Sequence, residues 1–223
     1  MNIKEYMNTL EMIKDSQPDE RVYQTRLIQQ FLEDTFEKYI VKCAEEKVVF
    51  PTDKLQIIDT SWTRETENHT KKYYTYPTEK GKVGTSPDII LAKNYTYYNR
   101  DKNSSKPVVY ACIEVKIPVK TDIPGGTEYI HSCEQIARYL QNVRTAVLTN
   151  CYKWYFYEAD KNIRNQEVKL HLEKIASTES FHDEIIIKQV DECMKESFDL
   201  STGSQKEMDD LKERLINIML KSY

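Results

Sequence analysis

The sequence predicts an α/β protein: a central mixed β-sheet flanked by helices, with an additional helical segment at its C-terminal end. Three observations carry that expectation. Val108 to Lys116 (VVYACIEVK) is a β-branched and aromatic run with a charged pair near its end, the composition of a buried strand. Residues 16–40 carry apolar side chains at helical spacing, and a second helical stretch of about fifteen residues opens after Pro124-Gly125-Gly126-Thr127. Beyond it, residues 143–150 and 153–158 read as two strands across a tight turn.

The elements follow in order. Ile3, Tyr6, Met7, Leu10 and Ile13 have helical spacing, and that helix ends at Ser16-Gln17-Pro18. Ser16 or Asp19 then caps a longer helix whose apolar positions are Ile28, Phe31, Leu32, Phe36, Tyr39 and Ile40. Short strands are expected at residues 47–50 and 55–60. A strand at Ile89-Ile90-Leu91 follows Ser86-Pro87-Asp88, and the polar, turn-rich run 94–107 is too irregular for a crossover helix. It therefore reads as the connection of an antiparallel hairpin that sets the Asp88 strand beside the Glu114 strand. Past His171 the chain is charged and helical, over residues 181–197 and 205–223. The domain division expected is 1–175 for the α/β domain and 176–223 for a helical extension, in the same domain or making a partner or dimer contact.

Bulk properties exclude more than they identify. The chain has 223 residues, enough for one domain with a real core, and a net charge of −4, so no global positive field advertises nucleic-acid binding. The five cysteines, at 43, 112, 133, 151 and 193, include no Cys-x-x-Cys pair, which argues for reduced thiols and a cytoplasmic setting. His131 and Cys133 have no second ligand pair for a zinc site. No apolar run approaches the ~20 residues of a membrane span, and the first residues do not read as a signal peptide.

The candidate chemistry lies in the charged residues of the strands and of the helices beside them. Side chains alternate across a strand, so Glu114 and Lys116 share one face while Ile113, Val115 and Ile117 share the other. A carboxylate and an ammonium in an apolar strand are costly unless partnered, and Asp88 on the neighbouring strand offers a shared metal ion. Glu20, in the first turn of the long helix, lies at the flank of the apolar stripe rather than on the solvated face. It is explained either by the helix dipole or as a carboxylate aimed at a metal site. Residues 69–82 are basic and aromatic: Lys71, Lys72, Lys80 and Lys82 could grip phosphates, or could simply belong to a solvated hairpin. His131, Gln135 and Tyr139 form an i, i+4, i+8 ridge joined by Arg138.

Pro87-Asp88 followed by Glu114-Val115-Lys116 is the motif pair of the PD-(D/E)XK nucleases, and the chain resembles them. Glu20 stands eight residues before Ile28, as in the helix that opens the nuclease domain of type I restriction-enzyme motor subunits. Gln135-x-x-x-Tyr139 resembles their Gln-x-x-x-Tyr helix, and residues 143–158 resemble their "ILTNG..W.FY" stretch, with Cys151 in place of the glycine. That departure puts the usual turn geometry in question. The resemblance covers Glu20 to Glu158. The phosphate loop of a helicase motor is missing from the remaining residues.

The resemblance implies a restriction-endonuclease-like core and a Mg²⁺-dependent DNA endonuclease, in restriction, phage defence or DNA processing, with Mn²⁺ able to substitute. Asp88, Glu114, the Val115 carbonyl and Glu20 would serve the metal; Lys116 would orient or deprotonate the attacking water, and Gln135 would assist. Lys71, Lys72, Lys80, Lys82, Arg138 and Tyr139 would contact nucleic acid. DNA is the expected partner, with a homodimer or a helicase, methyltransferase or specificity subunit as further partners and no membrane. The alternative is an inactive module of the same fold that binds nucleic acid or a partner protein.

Overall fold

The structure, a computed structural model, describes residues 1–16, 19–45, 55–60, 75–78, 81–84, 86–93, 108–119, 121–140, 143–159 and 179–220. Among these, six strands form one sheet in the order β1-β4-β5-β6-β7-β8, and β2-β3 form a separate hairpin. The strands are β1 (Leu55–Asp59), β2 (Thr75–Thr78), β3 (Gly81–Gly84), β4 (Ile89–Lys93), β5 (Val108–Val115), β6 (Thr145–Thr149), β7 (Lys153–Glu158) and β8 (Met194–Asp199). β4 pairs antiparallel with β5, Ile89 opposite Ile113, as the polar connection predicts. Only the β5–β6 pairing is parallel, and α4 (Tyr129–Leu140) makes that crossover. The sheet is thus mixed and mostly antiparallel.

The helices on the first face begin with α1 (Ile3–Asp15), which opens on a capping box: Asn2 Oδ1 accepts from Glu5 N and Glu5 Oε2 accepts from Asn2 N. The helix α2 (Glu20–Tyr23), capped by Asp19, runs through a π-helical turn (Gln24–Ile28) into α3 (Gln29–Glu45). Leu27, Ile28, Phe31, Leu32 and Phe36 are buried along it, but Ile40 is exposed, because the last turns of α3 project past the core.

Strand alternation sorts the core into two layers. Ile89, Leu91, Ile113, Val115, Val147, Trp154 and Phe156 face α1 and α3, meeting Tyr6, Leu10 and Phe31. Ile90, Cys112, Ala146, Leu148 and Tyr157 face α4, meeting Cys133, Ile136 and Tyr139. Helices therefore cover both faces.

The C-terminal segment departs from expectation. Helix α5 (Glu179–Cys193) stops before β8, whose first four residues, 194–197, were expected to be helical. β8 pairs antiparallel with β7, Phe198 opposite Trp154. The run MKESFD looks polar because an edge strand buries few side chains; Phe198 is the one that enters the core, and the ladder to β7 decides the conformation. Then α6 (Gln205–Leu220) buries Met208, Leu211, Leu215 and Ile218 in the same layer as α1 and α3.

The strand expected at 47–50, the connection 94–107, and Lys71, Lys72 and Lys80 lie outside the described residues. Lys82 falls in β3, whose side chains are likewise outside the description. Among the described residues no helix is long and apolar enough to cross a membrane.

Candidate active site at the ends of β4 and β5

Asp88 immediately precedes β4, and Glu114 and Val115 end β5, so adjacent strands bring both carboxylates to one end of the sheet. The Val115 N–H donates to Asp88 Oδ2 at 2.8 Å, tying the two strand ends together. The other Asp88 oxygen takes no hydrogen bond from a described residue. Val115 itself is fully buried.

Glu114, only 2% exposed, is surrounded by donors. Its Oε1 accepts from Lys116 Nζ at 2.8 Å and Gln135 Nε2 at 2.6 Å, and its Oε2 accepts from the Tyr139 hydroxyl at 2.5 Å. The helix and strand periods produce this arrangement. Lys116 is two residues along the strand and on the same face as Glu114, while Gln135 and Tyr139 are one helical turn apart on α4. The ridge read from the sequence is therefore split: Gln135 and Tyr139 turn inward, and His131 is exposed. Tyr139, expected among the nucleic-acid contacts, is 0% exposed and committed to Glu114, so that role is corrected. Arg138 is partly exposed and pairs with Glu134 at 3.7 Å along the helix.

Glu20 is half-buried, and its electrostatic neighbours include Lys116 and Glu114. Burial pushes its carboxyl upward, Lys116 opposes, and Glu114 adds to the rise. For Asp88, burial first and then Glu114 push the carboxyl well above the usual range, against the Val115 N–H. Burial alone would depress Lys116, but Glu114, with Glu20 and Asp88, outweighs it and pushes the ammonium up. Lys116 is thus a firmly held cation, which supports charge compensation over proton abstraction.

These residues suit a hard cation. A carboxylate offers about four acceptor positions, and three donors occupy Glu114, leaving it one further bond. Among the described residues no donor reaches the second Asp88 oxygen or Glu20. Among the described residues, no three or more His, Cys, Asp or Glu side chains gather as a metal-holding group. Mg²⁺ needs only one or two carboxylates besides waters.

Two positions behave as the sequence did not foretell. Cys151 adopts φ 71°, the left-handed conformation that glycine takes most readily. Its N–H donates to Thr149 Oγ1 at 3.0 Å, and its thiol is buried near the Lys116 carbonyl. Gln24, buried one turn past Glu20, donates to the Asp88 carbonyl at 2.9 Å. On sequence alone it is indistinguishable from a surface glutamine; the only available signal was its place inside an apolar stripe.

No family model, curated protein or solved structure matches this chain.

Proposed function

We propose that the chain is a divalent-cation-dependent phosphodiesterase acting on DNA, with a core of the restriction-endonuclease kind. One observation carries the reading: Asp88 and Glu114 sit at neighbouring strand ends, Lys116 donates to Glu114, and Glu20 is an electrostatic neighbour of Asp88, Glu114 and Lys116. A phosphodiester resists hydrolysis because its anionic oxygens repel an incoming nucleophile. Mg²⁺ or Mn²⁺ bound here would neutralise the phosphate and lower the pKa of a water. Asp88 and Glu114 would hold the ion, with waters completing its shell, and Glu20 would hold one of those waters. Lys116 offsets negative charge that develops on the phosphate. Gln135 and Tyr139 orient Glu114 and keep its oxygens from rotating.

A second reading rests on the same hydrogen bonds. Glu114, Lys116, Gln135 and Tyr139 close on one another, which is also how a buried polar cluster is satisfied without any ligand. In that case the chain is a binding module without catalysis. Purified protein incubated with plasmid DNA and Mg²⁺ or Mn²⁺, beside EDTA and Asp88→Asn controls, separates the two. Nicking or linearisation that requires the ion and Asp88 is the expected result. DNA retention with no cleavage in either ion supports the module.

A further inference from the structure

Gln24 is 2% exposed on a stripe otherwise made by Tyr23, Leu27, Ile28 and Phe31. A helix serving only as scaffold fills such a position with an apolar side chain, because a buried amide must have its hydrogen bonds made. Here the amide nitrogen donates twice, to Asp59 Oδ1 at 2.7 Å and to the Asp88 carbonyl at 2.9 Å. That carbonyl also accepts from Thr60 N at 3.0 Å, and the Thr60 hydroxyl donates to the Pro87 carbonyl. Asp88 precedes the first ladder pair of β4, Asp59 opposite Ile89, so side-chain and loop donors set its main chain where the sheet does not. Gln24 lies one turn beyond Glu20 and opens the π-helical turn. Such turns are rare, and where they occur they are frequently at functional sites.

We propose that Gln24 is a positioning residue that locks the Glu20-bearing turn to the Asp88 main chain, so that Glu20 and Asp88 serve one hydrated cation. The inference rests on the function proposed above and names the residue that sets its metal affinity. Both groups are reached through one side chain: Glu20 through the shared helix, Asp88 through its carbonyl.

Mn²⁺ titrated calorimetrically into wild type, Gln24→Met, Gln24→Asn and Asp88→Asn tests this, with metal-free unfolding followed on the same samples. Methionine keeps the volume without the donor; asparagine keeps the amide but falls short of the carbonyl. The expected result is folded variants whose Mn²⁺ affinity is roughly 10–100-fold weaker, the scale seen when support behind a metal ligand is removed. A folded variant that binds Mn²⁺ as wild type does overturns the proposal. So does loss of folding in both, which would assign Gln24 to the scaffold. Wild type that binds no Mn²⁺ sinks the reading of the site itself, a failure distinct from that of Gln24.

Discussion

Glu114 is paired with Lys116 and hydrogen-bonded by Gln135 and Tyr139, whereas among the described residues the Asp88 carboxylate has one donor, a backbone N–H, and that asymmetry decides how each residue responds to substitution. Because burial and Glu114 raise the Asp88 carboxyl, the folded protein holds that proton more tightly than the unfolded chain does. Between the ordinary carboxylate value and the raised one, stability therefore falls as pH rises. Asp88→Asn cannot ionise and still accepts from Val115, so without divalent ions it should unfold at a higher temperature than wild type at neutral pH. The difference should shrink toward pH 4, and thermal melts across that range measure it. Added Mn²⁺ should then stabilise wild type but not the variant. Lys116 is separable from Asp88. Removing its ammonium leaves Glu114 with Gln135 and Tyr139 and frees a position on Oε1, so Lys116→Ala should bind Mn²⁺ at least as well as wild type. Its cleavage rate per folded molecule should drop by ~10²-fold, the scale of a positioned acid–base or charge-stabilising group. An unchanged rate accompanied by lower stability would reduce Lys116 to a salt bridge.

Each element presents its share of the site through its own period, which is why some of the site could be read and some could not. Strand alternation places Lys116 beside Glu114, and the helical i, i+4 relation places Gln135 and Tyr139 together; both were legible in the sequence. Which way α4 turns was not, because Tyr139 is as compatible with a wet nucleic-acid face as with a buried bond. Its full burial in the layer that holds Cys112, Ile136 and Leu148 settles that question. Tyr139→Phe should accordingly destabilise the fold by about 1–3 kcal/mol, since it strips a donor from a buried carboxylate oxygen. Equilibrium urea unfolding of the metal-free protein checks this, and an exposed role would leave the midpoint unmoved. The β6–β7 turn illustrates the converse. The left-handed residue it needs is Cys151, held by Thr149 and by the Tyr6 hydroxyl on its carbonyl, so long-range bonds replace what glycine supplies locally. Edge strand β8 was illegible for a related reason: its conformation comes from β7, and its own composition is that of a solvated helix.

At the scale of the whole molecule, the C-terminal residues complete the core on which the site rests. Met208, Leu211, Leu215 and Ile218 of α6 share a layer with Tyr6, Phe31 and Trp154, and β8 covers the edge of β7. Arg214 adds polar ties, its Nη2 lying 2.6 Å from Glu158 Oε1 and its Nε 2.6 Å from Glu196 Oε2, with the guanidinium over Phe156. The Lys212 ammonium donates to the Met1 carbonyl at 2.8 Å, so the two ends of the chain close over one face. Removing residues 176–223 would take α6 and β8 out of this packing. It would uncover the Phe156 edge of the sheet and leave α1 and α3 without the helix they pack against. A protein ending at residue 175 should therefore fail to fold cooperatively, with no sharp thermal transition and no Mn²⁺ binding, rather than retain a trimmed active core. The point variant that isolates packing from chain length is Leu211→Ala. Leu211 is 0% exposed, in the layer it shares with Tyr6, Phe31 and Trp154. Its truncation should cost about 2–5 kcal/mol in urea unfolding, the range for a leucine removed from a close-packed core. Mn²⁺ affinity and cleavage per folded molecule should stay at wild-type level, because Leu211 carries none of the proposed ligands. If Leu211→Ala instead leaves stability unchanged, α6 is an appendage, and the truncated protein should then fold and bind the ion.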